Sequence, residues 1–351
     1  MTKETSWKIK NMGFICALLV VSIHIDWHED ESQLLWWGSQ LIKGGMGAIA
    51  GIAVPFFFVV SGYFLAAHFD EDGWWKREVG KRIKSLVVPF YLWTAISLVA
   101  TIPLSIVADL IAHRPFGTNI VLSVDWLRTL GVDLSNVPML GPLWYVRCLF
   151  LFVLISPVFK WGVRKVKWRW IATVFLVYAV SSGILGTVDV DQRTPIMKFF
   201  CYGFSLSGVF YFSTGVFIRK FGLRRLTNKQ AYMMFALGLL LLIGRNTGLY
   251  FLQCKFYGIG FIIIPMLLYS IYPFMPTTPW PNWLTSCAFP IFLMHPITFQ
   301  YLSIVQKYMP PMCVEAQTLI QFVWGVTVPI AVAVLLRRFF PRTASVLFGG
   351  R

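Results

Sequence analysis

Long apolar runs separated by short polar ones set the pattern of this chain. A helix that crosses a membrane needs about 20 mostly apolar residues. Runs of that kind fall at approximately 11–27, 44–65, 85–108, 141–159, 170–186, 199–218, 230–244, 249–272, 283–304 and 317–336. In lipid the backbone must satisfy its own hydrogen bonds, so each run is expected to be a helix. The pattern thus predicts an all-α polytopic membrane protein with about ten transmembrane helices. The seventh run is the shortest, stopping before Gly244. No soluble linker or internal repeat interrupts the series, so residues 1–351 are expected to form a single integral-membrane domain.

Composition agrees with the pattern. The chain is 57% hydrophobic and 13% charged, with a mean hydropathy of +0.67, whereas a soluble domain averages about 45–50% apolar and about 25% charged. The first run carries a histidine and lacks a small-residue cleavage site before its acidic flank, so it is expected to be a retained helix and not a signal peptide.

Charge orients the stack. A net charge of +16 would fit nucleic acid in a soluble protein, but here the basic residues alternate between loops. Of the 31 Lys and Arg, 22 fall on one set of ends and seven on the other, with Arg147 and Lys255 inside runs. The positive-inside rule then places both termini in the cytoplasm, which requires an even number of spans. The acidic stretch His28 to Glu31 faces outward. No nucleic-acid partner is expected. The six cysteines show no CxxC and no zinc-ligand spacing, and are read as buried apolar residues.

A few polar groups sit where lipid would not favour them. His24 lies near the far end of the first run. Intramembrane ionisable residues usually face a cavity or a partner, and an imidazole exchanges protons near neutrality. Lys10 and His24 are 14 residues apart, or about 21 Å of helix at roughly 1.5 Å per residue, which puts His24 in the outer half of the membrane. His24 and His28 are spaced to share a helix face, yet no third ligand is evident, and no metal is expected. Asp26 and His28 also fit an interfacial helix end. Lys255 can snorkel to the surface. Arg147 needs an acceptor, either a buried acid or an anionic ligand. His295 precedes Pro296, so a structural role and a chemical one both remain open. The second run is rich in glycine and carries Pro55, which fits close helix packing and equally a cavity beside His24.

In order along the chain stand Ala17-LLVVSI-His24, Pro55-FFFVVSGYF-Leu65, Lys81-RIKSLVVPFYL-Trp93, Pro142-LWYVRCL-Phe150 and Phe289-PIFLMH-Pro296. Each motif is short and apolar, but their order and spacing resemble the membrane-bound acyltransferase-3 family of multi-span O-acyltransferases. The resemblance covers most of the chain. It implies ten core helices, acyl-CoA (acetyl-CoA above all) as cytoplasmic co-substrate, and a cell-envelope saccharide or lipid-linked glycan as acceptor. It also implies the bacterial cytoplasmic membrane as location. It carries His24 to the position of the essential histidine, and Ser61, Gly62, Trp144 and Tyr145 to pocket or framework positions. The family commonly has an arginine eleven residues before the histidine; this chain has Gly13 there, with Lys10 on nearly the same face.

Acyl transfer to a hydroxyl needs a base for the proton and groups that stabilise the oxyanion. His24 is expected to be that base, with a covalent role as the other option. Arg147 is a catalytic candidate for the oxyanion or an anionic group. Lys10, Lys81, Arg82 and Lys84 are candidates for the phosphates of coenzyme A, although topology alone accounts for the loop charges. Ser61, Trp144, Tyr145 and His295 are candidates for the substrate pocket. The alternative is a secondary transporter or glycan exporter, for which matching broken spans in two halves are not found.

Overall fold

The structure is a computed structural model that describes residues 2–25, 49–111, 113, 133–138, 140–186, 188, 192–222, 226–246, 260–306, 308–309, 312 and 314–350. Among these residues every regular element is helical. The first half holds α1 (Lys3–Ile23), α2 (Ala53–Ala66), α3 (Trp74–Arg82), α4 (Val88–Ile111), α5 (Leu143–Leu154) and α6 (Ser156–Trp161). There follow α7 (Trp168–Gly186), α8 (Pro195–Lys198), α9 (Leu206–Phe221), α10 (Asn228–Asn246) and α11 (Gly260–Ile271). The chain closes with α12 (Asn282–Thr285), α13 (Ala288–Gln306), α14 (Val314–Phe339) and α15 (Pro341–Leu347).

Each of the ten predicted runs carries a helix, but they differ in reach. Among the described residues six helices are long and apolar enough to cross a membrane: Lys3–Ile23, Trp74–Pro103, Trp168–Leu185, Pro195–Phe221, Ala288–Gln306 and Ala316–Phe339. A seventh is added if Leu143–Leu154 and Ser156–Val166, bent by 62°, form one span. Ala53–Ala66 and Ile262–Phe274 are apolar but shorter. The outward faces suit lipid: Val99, Leu110, Leu176, Leu240 and Leu319 are each more than 60% exposed, far more apolar surface than a soluble monomer leaves open.

Local chemistry sets the ends and breaks. The first helix starts at Lys3, well before the predicted apolar run, because the Thr2 hydroxyl accepts from the Thr5 N–H at 3.2 Å and Glu4 sits in the first turn, where an acid suits the helix dipole. It stops at Ile23. His24 is the C-cap, at φ −99° and ψ 8°. Asp26 and His28 lie outside the described residues, as does Lys255.

The bend between α5 and α6 has a specific cause. Pro157 has no N–H for the Val153 carbonyl, and the Ser156 hydroxyl donates to that carbonyl instead, at 2.6 Å. One hydrogen bond is replaced and the helix turns.

Helices α2 and α9 make the tightest crossing in the core. A Cβ at Gly62 would overlap the Phe212 carbonyl, and one at Gly215 the Val59 carbonyl. Small residues on both partners permit this approach, the usual device of helix packing in lipid. The glycine-rich second run is thereby explained in part by packing. Phe58, Phe152, Phe159 and Phe212, each fully buried, fill the space beside the crossing. Helix α1 packs on α2, α12, α13 and α14, which holds its lower turns against one wall of a cavity.

Candidate functional site

That cavity has a volume of about 710 Å³. Its polar end is built from Ser6 and Lys10 of α1, Arg82 at the end of α3, and Asn282, Thr285 and Ser286 of the α12 segment. Its walls are Phe57, Val60 and Phe64 of α2 with Leu149 and Val153 of α5. Deeper in, Ser61, Tyr145 and Phe292 line it. The Ser61 and Tyr145 hydroxyl oxygens are 3.4 Å apart. The Tyr145 ring packs edge-on against Phe58 and Phe292, with centroids 4.7 and 5.8 Å away. One end is therefore cationic and the interior aromatic.

Arg82 lies where α3 passes into α4 through a π-helical turn, Ile83–Val87. Turns of this kind recur at functional sites because they rotate the side chains that follow. Leu86, inside the turn, also lines the cavity. Buried Glu78 anchors the segment: its carboxylate lies 2.8 Å from the Lys81 Nζ and 3.6 Å from an Arg82 nitrogen. This acid partly neutralises the basic run. Just before α3, exposed Glu71 accepts from the His68 ring at 2.8 Å and pairs with Arg77. The His68 hydrogen bond, aided by the charges around it, holds the Glu71 carboxyl below its ordinary pKa.

One helical turn beyond Phe292 on α13 stands His295, 0% exposed. Its Nδ1 faces the Ile291 carbonyl at 3.0 Å; a carbonyl only accepts, so Nδ1 carries the proton. Its Nε2 is buried and has no hydrogen-bond partner. The ring of His24 lies beside it, with centroids 5.1 Å apart and planes inclined by 36°. His24 itself is exposed at the end of α1. The cavity reaches Phe292, and the histidine pair continues from there.

A family model described as an acyltransferase domain matches residues 9–338. The chain belongs to the acyltransferase-3 family. With its apolar helices, the chain is an integral membrane protein of that family. The serine/alanine racemase of Enterococcus gallinarum is 27% identical over 332 residues, covering 85% of this chain. The chain spans 43% of that racemase, less than half its length. No solved structure matches the chain.

The site residues expected from the sequence divide into three groups. Lys10, Arg82, Ser61 and Tyr145 meet in the cavity. His24 and His295 stand together just past its inner end. Arg147, Trp144, Lys81 and Lys84 do not line it. Arg147 is buried and donates to the carbonyls of Asp133, Asn136 and Tyr202 at 3.1, 2.9 and 3.1 Å. Its acceptors are thus backbone oxygens of the segment before α5 and of a π-helical turn, Phe199–Gly203, and its Nε is buried without a hydrogen-bond partner. Trp144 packs behind the cavity against Phe58 and Tyr202. Lys81 pairs with Glu78, and Lys84 is exposed.

Sequence reasoning missed Glu78, Phe57, Phe292 and the polar α12 residues. Glu78 was detectable, since it precedes Lys81 and Arg82 by three and four residues, the spacing of helical ion pairs. The phenylalanines carry no signal that separates a cavity wall from a lipid-facing surface. Among the described residues, no three His, Cys, Asp or Glu side chains are grouped as a metal site would need.

Proposed function

We propose that the protein transfers an acyl group, most simply acetyl, from cytoplasmic acyl-CoA to a hydroxyl of a cell-envelope saccharide or lipid-linked glycan. The location is the bacterial cytoplasmic membrane, with ten spans and both termini on the cytoplasmic side. The observation that carries this reading is the cavity. It joins a cationic end, on the side the charge pattern assigns to the cytoplasm, to an aromatic interior that stops one turn short of the His24–His295 pair.

The residues present fit the donor. Lys10 and Arg82 hold the phosphates at the cationic end, as charge-assisted contacts do. The apolar walls accept the pantetheine arm, and the Ser61 and Tyr145 hydroxyls offer it hydrogen bonds. Gly13 supports an active part for Lys10. A Cβ at Gly13 would meet only the Phe57 ring, 3.9 Å away, so the position faces the same cavity wall, and Lys10 lies nearly one turn closer to the mouth. Its cation takes the place of the arginine that the family carries at the Gly13 position.

His24 acts as general base. The acceptor hydroxyl attacks the thioester carbonyl carbon and the carbon–sulfur bond breaks. The hydroxyl proton passes to His24 and then to the departing thiolate. Exposure of His24 at the outer end of α1 leaves room for a bulky acceptor there, while the donor reaches it from the opposite side. The test is mass spectrometry of envelope polysaccharides from a deletion strain. The reading expects one acyl mass to vanish from one glycan and to return with the gene; unchanged glycans would overturn it.

A further inference from the structure

The buried nitrogen of His295 has no assigned task. A buried polar atom without a partner costs on the order of 1–3 kcal/mol, so such atoms are few and call for an explanation. Neighbouring groups do not supply one. The Thr298 hydroxyl donates to the His295 carbonyl at 2.8 Å, the Phe299 ring packs edge-on at 5.8 Å, and the Trp324 indole donates to the Thr298 carbonyl at 3.1 Å. The Thr298 and Trp324 protons are thus committed to carbonyls, and the polar side chain left among these contacts is His24.

We propose that His295 is a positioning residue for His24: its Nε2 accepts a hydrogen bond from one ring N–H of His24 and leaves the other His24 nitrogen free as the base. This rests on the reading of His24 as general base. Two features fix the direction of the bond. The Ile291 carbonyl takes the His295 Nδ1–H, so in the neutral ring Nε2 is an acceptor. The ring separation of 5.1 Å lets a turn of the exposed His24 ring bring one of its nitrogens to about 3 Å from Nε2, the ordinary hydrogen-bond distance. A histidine held through one nitrogen has a fixed tautomer and a more basic second nitrogen, as second-shell partners of metal-bound histidines show. Pro296 favours the arrangement: lacking an N–H for the Phe292 carbonyl, it loosens α13 beside this pair.

The test reads His24 directly. Purified protein in lipid nanodiscs is treated with diethyl pyrocarbonate, and carbethoxylation of His24 is followed by fragment-ion mass spectrometry, which separates it from His28. His295→Leu should slow modification of His24 about five- to tenfold. His295→Gln keeps a donor for Ile291 and an acceptor for His24, and should stay within about threefold of wild type. Acetyl-CoA turnover on the same samples should show kcat falling in His295→Leu with KM unchanged and recovering in His295→Gln. An unaltered His24 rate in folded His295→Leu overturns the proposal. If that variant does not fold, a His24 rate in His295→Gln that falls more than about threefold overturns it equally. Failure of the acyl-transfer reading would show separately, as absent turnover in wild type with the His24 reactivity pattern intact.

Discussion

Arg147 and His295 are both ionisable side chains buried in apolar helices, each with one buried nitrogen that has no hydrogen-bond partner, and they differ in what their other nitrogens hold. The guanidinium of Arg147 donates to three carbonyls that belong to residues 133–136 and 202. It ties the segment before α5 and the Phe199–Gly203 turn to α5, and it does not line the cavity. His295 makes one side-chain hydrogen bond, leaves Nε2 without a partner, and lies beside His24. Burial of a charge-capable group is thus not a sign of catalysis in itself. Arg147 keeps its proton and bonds three carbonyls, so it holds the frame; the unpartnered nitrogen of His295 can accept a proton and lies beside a second imidazole.

The comparison can be broken from either side. The largest effect is expected at the end that His295 serves. His24→Ala should lower acyl transfer by about 10²–10⁴-fold, the usual worth of a positioned base, with normal expression and stability. Wild-type rates in a well-expressed variant would end its assignment as base. Arg147→Met should do the reverse. It leaves three carbonyls without their donor, at about 1.5–3 kcal/mol for each charged hydrogen bond lost, so the yield and thermal stability of detergent-solubilised protein should fall sharply. Any folded fraction should keep its KM for acyl-CoA. A stable Arg147→Met protein with turnover abolished would restore Arg147 to the chemistry. The smallest effect belongs to the cavity mouth. Lys10→Ala and Arg82→Ala should each raise the KM for acyl-CoA about tenfold, equivalent to about 1.4 kcal/mol, with kcat little changed. Lys84→Ala, outside the cavity, serves as the control and should leave KM alone.

Much of the fold was legible because apolar runs of spanning length have few other uses, and all ten carry helices. The exact ends were not. The Lys3 to Lys10 turns are polar and joined α1 through a cap at Thr2, which hydropathy does not register. The bend after Leu154 depends on Ser156 replacing a bond that Pro157 cannot make, a geometric event with a weak sequence trace. At the site, residues of unusual type for lipid were readable: His24, His295, Lys10 and Arg82. Their grouping was not, since it depends on which helix faces meet. Arg147 was read as needing an acid or an anion because backbone carbonyls, its actual acceptors, are the same in every sequence. Phe292, which links the cavity to the histidine pair, looks in the sequence like any other apolar residue.

In the proposed reaction a donor entering at Lys10 and Arg82 is brought to His24 for transfer to an outer acceptor. Coenzyme A release, followed as free thiol, tests it most directly. Purified protein in nanodiscs is given acetyl-CoA with and without envelope glycan. The account predicts thiol release that depends on the glycan and matches, mole for mole, the acetyl found on it. Glycan that is carried across the bilayer with no thiol released and no acetyl gained would contradict the account and favour a transporter.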